Sequence, residues 1–104
     1  GEDSATVRAR VMQARARQHA RSGCTNAHLD QSATNALCRL DPRDQALLED
    51  AIDRLQLSAR SMHRILRVAR TIADLADSER IATAHVAEAI GYRRGERAAT
   101  ARVA

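Results

Sequence analysis

The sequence contains no lysine: all seventeen of its Lys/Arg-type basic side chains are arginine. A P-loop needs a lysine to bind the nucleotide phosphates, so the chain cannot contain a complete P-loop. Schiff-base chemistry through a lysine amine is excluded for the same reason. The formal net charge is +4 at pH 7. This moderate excess is compatible with nucleic acid, nucleotide phosphates or an acidic protein surface, and it does not choose among them.

Aromatic side chains are almost absent as well, since Tyr92 stands alone and the chain has neither phenylalanine nor tryptophan. The core must then consist of leucine, isoleucine, valine, methionine and alanine, a mixture that favours closely packed helices over a sheet. At 104 residues the chain is long enough for one domain with a modest core. We therefore expect an all-α fold, a small bundle of about four to five helices.

Cysteine is also scarce, because Cys24 and Cys38 are too few and too far apart for a zinc ribbon. We interpret them as free thiols of a cytoplasmic protein, with a single disulfide as the less favoured alternative. No metal motif and no Ser/His/Asp, Cys/His or paired-carboxylate set can be justified from spacing, so we expect neither a metal nor a catalytic residue in this chain. No apolar run approaches the ~20 residues of a membrane span and no signal-peptide pattern opens the chain, so we expect no membrane contact.

The stretch 58–76 carries the strongest helical pattern. Its apolar residues recur at intervals of three and four over about half the helix circumference, which predicts a central helix packed on more than one neighbour. These residues are Met62, Ile65, Leu66, Val68, Ala69, Ile72, Ala73, Leu75 and Ala76. Ser58 is a good N-cap, because its hydroxyl can accept a hydrogen bond from a free N–H of the first turn.

The opposite face of this helix is basic and carries a single acid. Its residues are Arg60, His63, Arg64, Arg67, Arg70 and Asp74. Arg70 or Arg67 can pair with Asp74, whereas Arg60 and Arg64 have no acid on this face within one turn. Both lie in the first two turns, where the positive end of the helix dipole disfavours cations.

A helix start with unpaired arginines is a natural binding site for an anion, above all a phosphate. The alternative is a solvated basic face, or ion pairs with acids from other segments. Composition and periodicity alone favour that alternative modestly. The one candidate site is therefore Arg60, with Arg64, Arg67 and Arg70 as a supporting face for an anion or DNA.

A polar, arginine-rich helix is predicted at 7–22, with Asp3, Ser4 or Thr6 as its cap and Gly23 just beyond its end. Its apolar stripe is thin, so its own domain holds it weakly. Such a helix is either a connector that serves another domain or subunit, or a peripheral and partly frayed helix. The sequence supports the two interpretations equally.

Two short helices are predicted next. The first has Asp30 as a possible cap and ends near Leu40, and Asp41-Pro42 begins the second, since proline fits the first turn of a helix. The outer face of the second helix is expected to be acidic, through Asp44, Glu49, Asp50 and Asp53.

The last predicted helix begins with Thr83 as its cap and ends at or near Gly91. The following sequence has no apolar stripe, so we expect residues 1–94 to form the domain and 95–104 to be a disordered or frayed tail.

The sequence LSARSMHRILRVARTIADL at 57–75 closely resembles the C-terminal domain of the magnesium-chelatase-like AAA+ ATPases, the ComM/YifB competence-protein family. The resemblance extends to VRARVMQARARQHARSGCTNAHL upstream and to IATAHVAEAIGYR downstream, and so covers 7–93. The strings ARTIADL at 69–75 and NAHL at 26–29 are its most specific parts.

The resemblance implies a helical lid subdomain of an AAA+ ATPase, in which Arg60 is the sensor 2 arginine that contacts the γ-phosphate. ATP and Mg²⁺ would then be bound through a preceding core domain with the Walker motifs, and this chain alone would bind neither tightly. Members of the family form hexameric rings, so that core and neighbouring subunits are the implied partners. The competence members act as DNA branch-migration motors, which makes DNA a further possible partner of the parent. Whether Arg60 acts on its own or a neighbouring subunit's nucleotide is left open.

Two departures from the family pattern are mild. Met62 stands where many relatives have an aromatic residue, and the tail after Arg94 matches no known motif. Neither affects Arg60.

Two other interpretations compete with the lid. One is a free-standing basic module that binds DNA through Arg64, Arg67 and Arg70 or through the first helix, although no helix-turn-helix pattern and almost no aromatic residue support it. The other is a protein–protein adaptor that uses the first helix. Salt-sensitive DNA affinity would favour the former, and a partner that binds without nucleotide or DNA would favour the latter.

Overall fold

A computed structural model of the chain describes the backbone of residues 2–103 and the side chains of residues 2–96. Over these residues the chain forms five α-helices and one 3₁₀ turn and contains no strand, which confirms the predicted all-α bundle. The helices are α1 (Ser4–Ser22), α2 (Gln31–Leu37), α3 (Pro42–Arg54), α4 (Ala59–Leu75) and α5 (Thr83–Val103), and the 3₁₀ turn is Asn26–His28.

The helix starts follow from capping side chains. The carboxylate of Asp3 accepts a hydrogen bond from the Thr6 N–H at 2.7 Å, so α1 begins one turn earlier than the predicted residue 7. The predicted caps of α2 and α4 are confirmed: Asp30 accepts from the Ala33 N–H and Ser58 from the Ser61 N–H. At the other end of α1, Gly23 adopts φ = 78°, the left-handed conformation that favours glycine as a helix terminator.

Two predicted details of α2 and α3 are wrong. Helix α2 ends at Leu37 and not near Leu40. Asp44 is not on the exposed acidic face of α3, because it is buried and its carboxylate accepts a 2.6 Å hydrogen bond from the Thr83 hydroxyl. A buried carboxylate needs such a partner to offset its lost hydration, and this bond links the starts of α3 and α5.

The start and end of α5 also differ from the prediction. Thr83 is its first helical residue and not its cap, and the N–H of Ala82 donates instead to Nδ1 of His85. The predicted end at Gly91 is wrong, because the helix continues to Val103. The sequence also predicts disorder at 95–104. Most side chains of this segment lie outside the described residues, so the disorder stays a prediction.

Helix α4 is the centre of the bundle, as its wide apolar face predicts. It packs against α1, α2, α5 and the 3₁₀ turn, while α3 packs against α5. Ala73 of α4 is completely buried, as are Leu48 of α3 and Val86 of α5. Within the described part of the chain, no helix is both long enough and apolar enough to span a membrane.

Candidate functional site

Among the described side chains, an extensive polar cluster centres on Asp74, near the end of α4. Its side chain is completely buried. The guanidinium of Arg21 binds both carboxylate oxygens, at 2.6 and 3.2 Å, and Nη2 of Arg70 lies 3.1 Å from Oδ1. The amide of Asn26 donates to Oδ2 at 3.0 Å. Two arginines and an amide therefore compensate one buried negative charge, as a buried carboxylate requires. We call Asp74, Arg21, Arg70 and Asn26 the Asp74 cluster.

This cluster ties together segments that are distant in sequence. Asn26 also donates from its amide to the Thr71 hydroxyl, and its backbone N–H donates to the buried side chain of Gln18. Arg17 donates to the backbone carbonyl of Asp74 at 3.1 Å. The second half of α1 is therefore fixed to α4, so that part of α1 is not the peripheral, frayed helix considered above.

Arg70 does not belong to an exposed basic face, and its predicted role in an anion or DNA surface is wrong. It is buried, and besides Asp74 it donates to the carbonyls of Ser78 and Glu79, at 2.7 and 2.9 Å. Burial lowers its pKa from the ordinary value, while the charge of Asp74 opposes that shift. All these contacts point inward, so Arg70 stabilises the turn after α4.

The pKa of Asp74 reflects two opposing effects. Burial raises it, but the hydrogen bonds from Arg21 and Asn26 and the charges of Arg70 and Arg21 outweigh burial, so that the pKa lies below its ordinary value of 3.8. The carboxylate is therefore ionised in the folded protein at neutral pH.

Acid is expected to destabilise the protein through this group. A carboxylate with a depressed folded-state pKa contributes stability that is fully present above the unfolded-state pKa, about 4, and is lost as the pH falls through the folded-state value. Urea unfolding at decreasing pH should show this loss below about pH 4. The loss of unfolding free energy should be smaller in Asp74→Asn, whereas the exposed control Asp53→Asn should show the same loss as the wild type. An identical pH dependence in Asp74→Asn and the wild type would contradict the assignment.

The other predicted members of the basic face have different environments. His63 is buried and its Nε2 lies 3.1 Å from Oδ1 of Asn35, so its predicted outward position is wrong. Arg64 is exposed and pairs with Glu96 of α5 at 3.2 Å, an acid from another segment. Arg67 is half-buried and makes no ion pair with a described side chain; the predicted alternative pair of Arg67 with Asp74 is absent.

Arg60, at the start of α4, is an accessible arginine without a partner among the described side chains. It is exposed in the first turn, and no described side chain forms an ion pair or hydrogen bond with it. The free N–H groups of this turn and the guanidinium both attract an anion. Arg60 is thus available for an external anion, and its role in phosphate binding stays a prediction. Arg64 and Arg67 are the other described arginines of α4 that are not buried.

Both cysteines are free, as predicted. Burial raises the pKa of the Cys38 thiol to about 11, although nearby arginines oppose the shift. A thiol with this pKa is protonated at neutral pH and is a poor nucleophile. Cys38 therefore belongs to the core.

Sequence reasoning missed Arg21, Asn26 and Gln18. Arg21 is one of several arginines of the predicted first helix, and Asn26 lies between predicted helices without an assigned role. A signal was available for Asn26, which opens the specific string at 26–29, while the other specific string, at 69–75, contains its partners Thr71 and Asp74 as well as Arg70. Arg21 and Gln18 lie outside both strings. These strings contribute much of the cluster that joins α1 to α4.

Comparisons with known proteins agree on one relationship. The family model described as "Magnesium chelatase, subunit ChlI C-terminal" matches residues 1–93. The chain is 46% identical over 93 residues to the competence protein ComM of Haemophilus influenzae and, equally, to the uncharacterized protein YifB of Escherichia coli. YifB of Salmonella typhimurium is 43% identical over the same length. Each match covers 89% of this chain but 18% of the relative, so the chain spans about a fifth of these proteins.

Proposed function

Because the chain belongs to the family of magnesium chelatase subunit ChlI C-terminal domains, we propose that it is the helical lid of an AAA+ ATPase. In this function, Arg60 is the sensor 2 residue that contacts the terminal phosphate of ATP. The single observation that supports this role is the state of Arg60: it is exposed in the first turn of α4 and has no partner among the described side chains.

Arg60 is the best candidate for the phosphate contact, because the other arginines of α4 are paired or half-buried. Arg70 is committed to the Asp74 cluster and Arg64 to Glu96. Arg67 is half-buried and lies two turns further along the helix. A guanidinium is well suited to a phosphate, since its planar fork can donate two hydrogen bonds to phosphate oxygens.

The nucleotide would be held mainly by another domain. With no lysine there is no P-loop in this chain, so a core domain of the longer protein would bind ATP and Mg²⁺. The lid would add Arg60 from its own or a neighbouring subunit. In a hexameric ring, this contact would couple ATP binding and hydrolysis to motion between subunits, and the parent would be a DNA branch-migration motor of natural competence.

The anchoring of α4 to its neighbours suits this task. Asp74 connects its second half to Arg21 of α1, and Arg70 anchors the turn that follows it. A displacement of Arg60 along with α4 would therefore move α1 too. We infer that α1 transmits the state of the nucleotide between the lid and the domain to which it is joined.

The test is an NMR titration of the chain with ATP·Mg²⁺, alongside the same titration of Arg60→Ala. We expect weak binding, with dissociation constants of about 1 mM or above because the core is missing, and shifts confined to the amides of 58–64. The variant should lose most of these shifts. No shift in the wild type, or equal shifts in both proteins, would contradict a phosphate contact by Arg60.

DNA binding is a second candidate function, favoured by one observation. Helix α1 carries five arginines and no acid, and its Arg8 and Arg15 have no ion-pair partner among the described residues. Titration with a short DNA duplex should then shift α1 amides along with those of Arg64 and Arg67, and the affinity should fall steeply as salt rises. Such shifts without a response to ATP would favour this function over the lid.

A further inference from the structure

The outer face of α1 combines one apolar and two basic side chains. Arg8, Met12 and Arg15 are spaced four and three residues apart, so they form one stripe on the helix. All three are exposed, Met12 to 66%. The other arginines of α1 are paired: Arg10 with Glu2, Arg17 with Asp77 and Arg21 with Asp74. Among the described residues, the stripe is thus an unpaired basic surface around an exposed methionine.

A groove with acidic and apolar side chains lies between α3 and the start of α4. It has a volume of about 390 Å³ and an apolar lining from Ile52, Leu57 and Met62. Its acidic lining comes from Glu49 and Asp53, one turn apart on α3. No described cation pairs with either acid; Glu49 accepts only a hydrogen bond from the Gln45 amide.

We propose that the Arg8–Met12–Arg15 stripe docks in this groove on a second copy of the chain. Met12 would enter the apolar lining, and the two arginines would pair with Glu49 and Asp53. The spacings of the charged residues are compatible. The two arginines are seven residues apart, about 10 Å along α1, and the two acids are four residues apart, about 6 Å along α3. Arginine side chains are long enough to span this difference.

The chain's own α1 does not fill the groove, which is lined by α3, α4 and the loop between them. Because stripe and groove are different surfaces, the contact is heterologous, and repetition would give a ring, an open chain or a reciprocal dimer. It uses neither Arg60 nor nucleotide, so its failure would leave the lid function untouched.

Sedimentation velocity of the chain over a concentration series, at about 50 mM and 500 mM salt, tests the proposal. We expect self-association at low salt that weakens at high salt, because exposed ion pairs are screened. Arg8→Glu/Arg15→Glu and Glu49→Arg/Asp53→Arg should each weaken it by about tenfold or more, since each places like charges together. Mixing the two variants should restore association, because the reversed stripe then meets a reversed groove.

The matched control is Arg39→Glu/Arg43→Glu, which makes the same change of net charge at two exposed arginines outside both surfaces. It should associate like the wild type. A monomeric wild type at low salt, or equal weakening in the control, would overturn the proposal. So would a stripe variant that loses DNA binding while self-association is unchanged, since that result would assign the stripe to nucleic acid.

Discussion

Asp74→Ala is expected to lower the free energy of unfolding by about 3–5 kcal/mol, the range for a broken buried ion pair. The substitution leaves the buried Arg70 without its counter-charge and removes the acceptor of Arg21 and Asn26. It also removes the side-chain ion pair between Arg21 of α1 and α4. Since a small domain is stable by only about 5–15 kcal/mol, this loss is a large fraction of the total. Urea unfolding followed by circular dichroism measures it.

Asp77 provides the matched control, because it too is an aspartate that pairs with an arginine of α1, namely Arg17, but its side chain is 81% exposed. Asp77→Ala should cost no more than about 1 kcal/mol, as is usual for exposed ion pairs. The double variant Arg70→Met/Asp74→Leu should be more stable than Asp74→Ala, because the buried charge of Arg70 is removed together with that of Asp74 and only the partly exposed Arg21 loses its partner. Equal losses for Asp74→Ala and Asp77→Ala would contradict the importance of burial.

From the proposed sensor 2 role we expect Arg60→Ala in the full-length protein to reduce its rate of ATP turnover by at least about tenfold, since the substitution removes a cationic hydrogen-bond donor from the phosphate. The melting temperature should not change, because Arg60 is exposed and forms no ion pair or hydrogen bond with a described side chain. Steady-state phosphate release and thermal unfolding of the same preparations measure the two quantities.

Arg64→Ala is the control for charge on the same helix. It removes an exposed arginine that pairs with Glu96 and lies one turn beyond Arg60. Its ATPase rate should stay within about twofold of the wild type, since exposed ion pairs contribute little. A wild-type rate in Arg60→Ala would refute the sensor 2 assignment, and equal losses in both variants would indicate a general charge effect.

Much of the local structure could be predicted because its causes lie within a few residues. Asp30 and Ser58 cap their helices through hydrogen bonds three residues away, and Gly23 ends α1. The predicted end of α5 at Gly91 was wrong because glycine only weakens a helix. Beyond Gly91, Glu96 pairs with Arg93 one turn earlier in α5 and with Arg64 of α4.

The sequence by itself determined the all-α class, the central position of α4 and the basic start of that helix, because composition, periodicity and capping act over short distances. Only the tertiary structure decided which arginines of α4 are available. Arg70 and Asp74 are buried because Arg21 and Asn26, 53 and 48 residues before Asp74, supply the hydrogen bonds that compensate for lost hydration. The helical periodicity of α4 gives no information about partners so distant in sequence. They enclose the end of α4 that contains Arg70, whereas Arg60 at its start is exposed.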